Sequence, residues 1–186
     1  MRKLPGSLDN PVDDLLLHGV EAITPLMVRS KITPNSVTLL SGVTGAAAVG
    51  FVAQGKGKWG ALLYALSYFL DTADGHLART TGMVTGVGDA MDHIKDIAVA
   101  LGLFWALYTS GKVPRWALLV LVILSATSCV QIGCQERVYG RQESRTLHFT
   151  RSLCDSDNPE ETLGYTRWVG MGTLTLAACW VMWRYV

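Results

Sequence analysis

Four carboxylates and one arginine interrupt apolar sequence in two short stretches, Asp71-Thr-Ala-Asp74-Gly75-His-Leu-Ala78-Arg79 and Gly88-Asp-Ala-Met-Asp92-His-Ile-Lys-Asp96. A carboxylate in a bilayer segment is costly and as a rule functional. Asp71 and Asp74 are three residues apart, and Asp92 and Asp96 four, so on helices each pair projects from one face. The short polar loop at 80–87 would make the two helices antiparallel neighbours, bringing all four oxygen donors near one membrane surface. Hard divalent cations want such oxygens, and Mg²⁺ in particular is held by a few carboxylates plus substrate phosphates. Without a cation the four charges repel. Gly75 leaves backbone open to a ligand, Ala78 is likewise small, and Arg79, one turn on, can grip a phosphate bidentately. Two metals flanking a diphosphate would polarise it for in-line displacement. The chemistry indicated is metal-assisted transfer of a phosphoryl-type group.

Composition says what frame holds these groups. The chain has 186 residues, enough for one domain. It is 49% hydrophobic and 17% charged, with a mean hydropathy of +0.28. Soluble domains carry roughly 25% charge, so an integral membrane protein is expected. A net charge of +1, with no dense Lys/Arg cluster, argues against nucleic acid as a partner. Among Cys129, Cys134, Cys154 and Cys179 there is no C-x-x-C pair, and two lie in apolar segments. Unpaired small side chains are therefore expected, ahead of a disulfide or zinc framework. Acids, prolines and the lack of an uninterrupted apolar run near the start argue against a cleavable signal peptide.

Residues 11–28 read as an amphipathic helix with Asn10 as N-cap and Pro11 at the first position. Val12, Leu15, Leu16, Val20, Ile23 and Met27 recur at helical spacing. The segment is too polar to cross a bilayer and suits its interface, with an ordinary packed helix an equal alternative. Pro25 is expected to distort or end it. Residues 35–53 form a first span, whose Gly42, Gly45, Ala46 and Gly50 would admit close neighbours. Residues 59–79 and 88–109 are the second and third spans. Residues 116–134 are the fourth, continuing as helix to 139, and 168–183 are the core of a fifth with Trp at its interfaces. Each approaches the roughly 20 residues that ~30 Å of hydrocarbon requires.

The fold class expected is all-α: a polytopic transmembrane helical bundle of five spans with an N-terminal interfacial amphipathic helix. It forms a single membrane-embedded domain over 1–186. The interfacial helix lies in 1–33, the catalytic helices in 35–139, a polar cytoplasmic segment in 140–163 and the last span in 164–186.

Loop charges orient it. With the N-terminus inside, Arg2, Lys3, Arg29, Lys31, Arg79, Arg137, Arg141, Arg145, Arg151 and Arg167 are cytoplasmic, against Lys56, Lys58, Lys112, Arg115 and Arg184 outside. This bias supports a multi-pass protein with its N-terminus and carboxylate cluster on the cytoplasmic side.

Asp71-x-x-Asp74-Gly75-x-x-Ala78-Arg79, eight residues, then Gly88-x-x-x-Asp92-x-x-x-Asp96 resembles the complete signature of the CDP-alcohol phosphotransferases. Pro34-Asn35-Ser36-Val37-Thr38 is similar to the start of the first span in many members, and residues 130–136 match more weakly. The resemblance implies transfer of a phospho-alcohol group from a CDP-linked donor to an acceptor hydroxyl, with release of CMP. The short chain favours CDP-diacylglycerol as donor. By position, Asp71, Asp74 and Asp92 resemble the metal ligands, and Asp96 the general base that also touches a second metal. The implied cofactor is Mg²⁺ or Mn²⁺, as two ions. Gly75, Ala78, Arg79 and Gly88 resemble the nucleotide and diphosphate contacts, joined by Thr85 and, more weakly, Asn35 and Thr38. Members often dimerise. The family usually has six spans, so 140–163 would be a surface helix or a shortened sixth.

Arg137 and Arg141, with Arg145 and Arg151, can bind a phosphorylated acceptor, or serve only topology and anionic headgroups. Lys95 is expected to turn away or pair with a nearby acid, Asp89 to support the cluster or lie solvated, and His76 and His93 to fill variable positions. Asp155, Asp157, Glu160 and Glu161 read as a solvated loop. Asp92-His93 is similar to a pair in choline and ethanolamine phosphotransferases, which keeps a CDP-aminoalcohol with diacylglycerol open as an alternative substrate pair. A divalent-cation transporter is the competing class, but transport gives no role to Gly75 and Arg79.

Overall fold

A computed structural model of the chain describes residues 4–138, 146–154 and 157–186. Arg141, Arg145 and Asp155 fall outside the described residues. All regular elements among the described residues are helices: α1 (Pro11–Arg29), α2 (Pro34–Ala53), α3 (Gly57–Thr81), α4 (Gly86–Thr109), α5 (Arg115–Val138), a 3-10 helix (Thr146–Leu153), α6 (Pro159–Thr166), a 3-10 turn (Arg167–Val169) and α7 (Met171–Tyr185).

Helix ends follow the local sequence. Asn10 caps α1, its side-chain oxygen accepting from Val12 N at 2.9 Å, with Pro11 at the first position. The Asn10 amide also donates to Arg167 O and to Thr173 Oγ1, tying the start of α1 to α7. Thr33 and Pro34 start α2 in the same way. Gly82, at φ 70, ends α3, and Thr85 caps α4 by accepting from Gly88 N at 3.1 Å. The α3–α4 connection is therefore tighter than the loop expected at 80–87.

Serines draw α2 and α3 together. Ser41 Oγ donates to Ser67 O at 2.9 Å and Ser67 Oγ donates to Ser41 O at 2.8 Å. Only small residues fit this crossing: a Cβ on Gly45 would stand 2.8 Å from Val99 Cγ2 and 2.9 Å from Ser67 Oγ. Away from the site, Val52, Ala61, Leu103, Leu107, Leu121 and Met182 form the main apolar core. Leu17, Val20, Met27, Val37, Ala73 and Leu77 form a second beneath α1.

Several expectations need correction. Helix α1 runs on through Pro25 to Arg29; the ring removes one N–H donor, and the flanking helix holds. Its buried face is Leu17, Val20, Thr24 and Met27, while Leu15 is 72% exposed. Of the four small residues expected to admit neighbours in α2, Gly45 does so, but Ala46 is exposed and a Cβ on Gly50 would meet nothing. Cys134 and Cys154 are a disulfide, with Cα atoms 4.9 Å apart, while Cys129 and Cys179 are free. Separation by 20 residues hid the pair. Gly133 makes it reachable, since a Cβ there would overlap Thr150 O, and this lets the 3-10 helix dock on α5. Cys134, Cys154 and Leu163 form the core of that corner.

Among the described residues two helices, α2 and α5, are long and apolar enough to cross a membrane. Helices α3 and α4 carry the acids, and α7 has 15 residues, about 22 Å of helix. Within 140–163 the described residues form two short pieces and no spanning helix.

Candidate active site

The facing ends of α3 and α4 bring the two halves of the motif to one cavity of about 340 Å³. Asp71, Asp74, Gly75, Ala78 and Arg79 line it from α3, Thr85, Gly88, Asp89, Asp92 and His93 from α4 and its cap, and Pro34, Asn35 and Thr38 from α2. Asp71, Asp74 and Asp92 each present a carboxylate oxygen within 4.8 Å of the others, and Asp92, His93 and Asp96 form a second such group. Asp74 is 5% exposed, and no hydrogen-bond donor among the described residues reaches its Oδ2. A buried carboxylate oxygen without a donor is costly unless a cation meets it. The donor set around Asp74 therefore fits a hard divalent ion.

Asp96 joins the cluster without lining the cavity; its Oδ1 is 3.1 Å from Lys95 Nζ. Its side chain is 43% exposed, against 23% for Asp71 and 25% for Asp92. Lys95 does pair with a nearby acid, as expected, but with three: Asp71, Asp92 at 2.9 Å and Asp96.

The nucleotide and diphosphate candidates converge. A Cβ on Gly88 would stand 3.0 Å from Thr85 Oγ1 and 3.2 Å from Asn35 Oδ1, so the starts of α2 and α4 meet over bare backbone. On α3 the Arg79 guanidinium lies over Gly75, and a Cβ there would be 3.3 Å from Nη1. Thr38 is buried, donates to Pro34 O at 3.1 Å and shares the cavity wall with Asp74. The acceptor candidates among the described residues, Arg137 and Arg151, do not join them. Arg137 donates to Cys154 O and does not line the cavity.

Of the remaining wall, Gln131 and Gln135 belong to the weakly matching 130–136 stretch, and the other residues carried no expectation as site residues. Asp9, Asp13, Tyr68, Gln131, Gln135 and Met171 line the cavity from the N-terminal segment, α1, α3, α5 and α7. Tyr68 OH donates to Asp13 Oδ1 at 2.7 Å. Burial pushes the Asp13 carboxyl up to about 6; Asp9 adds to the rise, while Tyr68 and the Gly172 backbone oppose it. Tyr68 carried a readable signal, standing three residues before Asp71 on the same helical face. His93 and Asp89 also belong to the cavity: His93 Nε2 is 3.5 Å from Asp89 Oδ1, so Asp89 is not a solvated side chain. His76 is buried and does not line it.

With this geometry in hand, comparison with known proteins assigns the class. A family model for CDP-alcohol phosphatidyltransferase matches residues 31–183, and the chain belongs to that family. Its members are transferases of phospholipid synthesis. The chain is 29% identical over 168 residues to a phosphatidylinositol phosphate synthase of Corynebacterium glutamicum, covering 84% of this chain and 73% of the relative. It is also 29% identical over 126 residues to an archaetidylinositol phosphate synthase of Pyrococcus horikoshii, covering 65% of this chain and 64% of that relative. No solved structure gives a significant match. Membership in this family sets aside the transporter class.

Proposed function

We propose that the chain transfers the phosphatidyl group of CDP-diacylglycerol to a hydroxyl of an inositol phosphate, releasing CMP. The observation that carries this is the meeting of Asp71, Asp74 and Asp92 with Arg79, Asn35, Thr85 and Gly88 around one cavity. Cation ligands and diphosphate contacts there face the same space. The choice of acceptor rests on the two relatives, whose names share an inositol phosphate product and differ in the lipid.

In the proposed reaction the acceptor oxygen attacks the phosphorus bearing the lipid alcohol. The bond from that phosphorus to the bridging diphosphate oxygen breaks, CMP leaves with the electron pair, and the acceptor proton passes to Asp96. Asp96 is given that role by its motif position: it joins the carboxylate cluster at the cavity's edge with a side chain more open than those of Asp71 and Asp92, and a base must reach the hydroxyl it deprotonates. Arg79 would hold the diphosphate in line. Asp71, Asp74 and Asp92 would hold Mg²⁺ or Mn²⁺, which when bound supplies positive charge to the diphosphate as it breaks.

For the membrane, our reading is five spans: α2, α3, α4, α5 and α7, with α1 at the cytoplasmic interface. Ile94 at 68% exposed, Ile97 at 59%, Leu101 at 65% and Trp105 at 67% give α4 an apolar outer face despite its acids, as a lipid-facing helix requires.

The test is CMP release by purified protein with Mg²⁺ or Mn²⁺ and CDP-diacylglycerol, offered inositol phosphate, inositol, serine and glycerol 3-phosphate. Release with inositol phosphate alone, lost in Asp96→Ala, is the expected result. Release with another acceptor would overturn the acceptor. Release only from CDP-choline or CDP-ethanolamine with diacylglycerol would replace the donor too.

A further inference from the structure

Lys95 lies inside the carboxylate cluster, in a place three helices have shaped for it. Its ammonium hydrogen-bonds Asp71 of α3, Asp92 of α4 at 2.9 Å and Ser41 Oγ of α2 at 3.2 Å, with Asp96 at 3.1 Å. Ser41 is fully buried and spends its own proton on Ser67 O, so its oxygen is left to accept from Lys95. The next residue, Gly42, opens α2 to the aliphatic stem: a Cβ there would stand 3.2 Å from Lys95 Cγ and 3.5 Å from Cδ. The Lys95 side chain is only 11% exposed.

We infer that Lys95 is a built-in cation that takes the place of a second metal ion, so that the site binds one divalent ion per chain. Asp71 and Asp92 would be shared. On one side, with Asp74, they face the bound ion; on the other, with Asp96, they face the Lys95 ammonium. A mobile divalent ion at the second position would have to displace a tethered charge that already has three carboxylate partners. Lys95 is thus a positioning residue for Asp71, Asp92 and Asp96. The inference rests on reading the cluster as the enzyme's metal site.

The experiment counts Mn²⁺ bound to purified protein in the presence of CDP, by calorimetry and by electron paramagnetic resonance. Wild type and Lys95→Arg should each bind one ion with the spectrum of an isolated Mn²⁺. Lys95→Met should bind two, with the exchange-coupled spectrum of neighbouring ions. Two ions in wild type would overturn the inference, as would one ion in Lys95→Met. Should Lys95→Met fail to fold, the wild-type count decides alone. Two ions with CMP release intact would sink only the Lys95 role. No Mn²⁺ binding, no CDP binding and no CMP release would sink the proposed function with it.

Discussion

The Arg79 guanidinium lies across Gly75, one helical turn earlier, with Nη1 3.3 Å from where a Gly75 Cβ would be. The glycine thus clears the path by which the arginine reaches the cavity. A methyl there would push the guanidinium by a few tenths of an ångström, and a branched side chain would displace it. Gly75→Val should weaken CDP binding at least tenfold, about 1.4 kcal/mol, in protein that remains folded. Arg79→Lys should weaken it comparably, because an ammonium cannot reproduce the bidentate grip. Calorimetric titration with CDP checks both. Unchanged affinity in both variants would remove Arg79 from the diphosphate site.

Asp13 makes stability fall as pH rises. Burial lifts its folded pKa from 3.8 to about 6. Between those values the folded protein holds a proton that the unfolded chain has released, so stability drops across the window. The full effect is on the order of 3 kcal/mol. Asp13→Asn cannot ionise and lacks this slope. Its Tm relative to wild type should be higher near pH 7 than near pH 4, measured in detergent. A difference that does not vary with pH would show that Asp13 titrates as an ordinary acid.

The bond between Cys134 and Cys154 holds the 3-10 helix against α5. Cross-linking residues 20 apart restricts the unfolded chain by about 3 kcal/mol. On the N-terminus-inside orientation expected from the loop charges this corner would face the cytoplasm, where most thiols stay reduced. The two cysteines are 0% and 1% exposed, which shields the bond from soluble reductant. Thiol counting by mass spectrometry should find two free thiols in folded protein and four after denaturation with reductant. Cys154→Ser should lower Tm by several degrees. Four free thiols in native protein would refute the bond.

Gly45 and Gly50 look alike in the α2 sequence but stand in different surroundings. A Cβ on Gly45 would press on Val99 and Ser67, whereas one on Gly50 would meet nothing. Gly45→Ala should destabilise by about 1–3 kcal/mol through overpacking. Gly50→Ala should be neutral or slightly stabilising, since it reduces chain entropy in the unfolded state. Equal Tm changes in the two variants would contradict the close α2–α3 crossing.

The carboxylate motif was legible because its chemistry is local. Residues three or four apart on a helix share a face whatever surrounds them, so Asp71 with Asp74, and Asp92 with Asp96, were paired by spacing alone. The all-helical class and the cap at Asn10 likewise follow from near neighbours in the chain. Contacts between distant segments were not legible. Asp13 meeting Tyr68, Cys134 meeting Cys154, and Gln131 and Met171 completing the cavity each depend on how the helices dock. Docking is decided by small residues such as Gly45 and Gly133, whose spacing does not say which helix comes near. Lys95 shows the division most clearly. From sequence it was a lysine between two acids, free to turn either way. Only the tertiary structure brings Asp71, Ser41 and Gly42 around it, because a long charged side chain goes where folded neighbours can satisfy its charge.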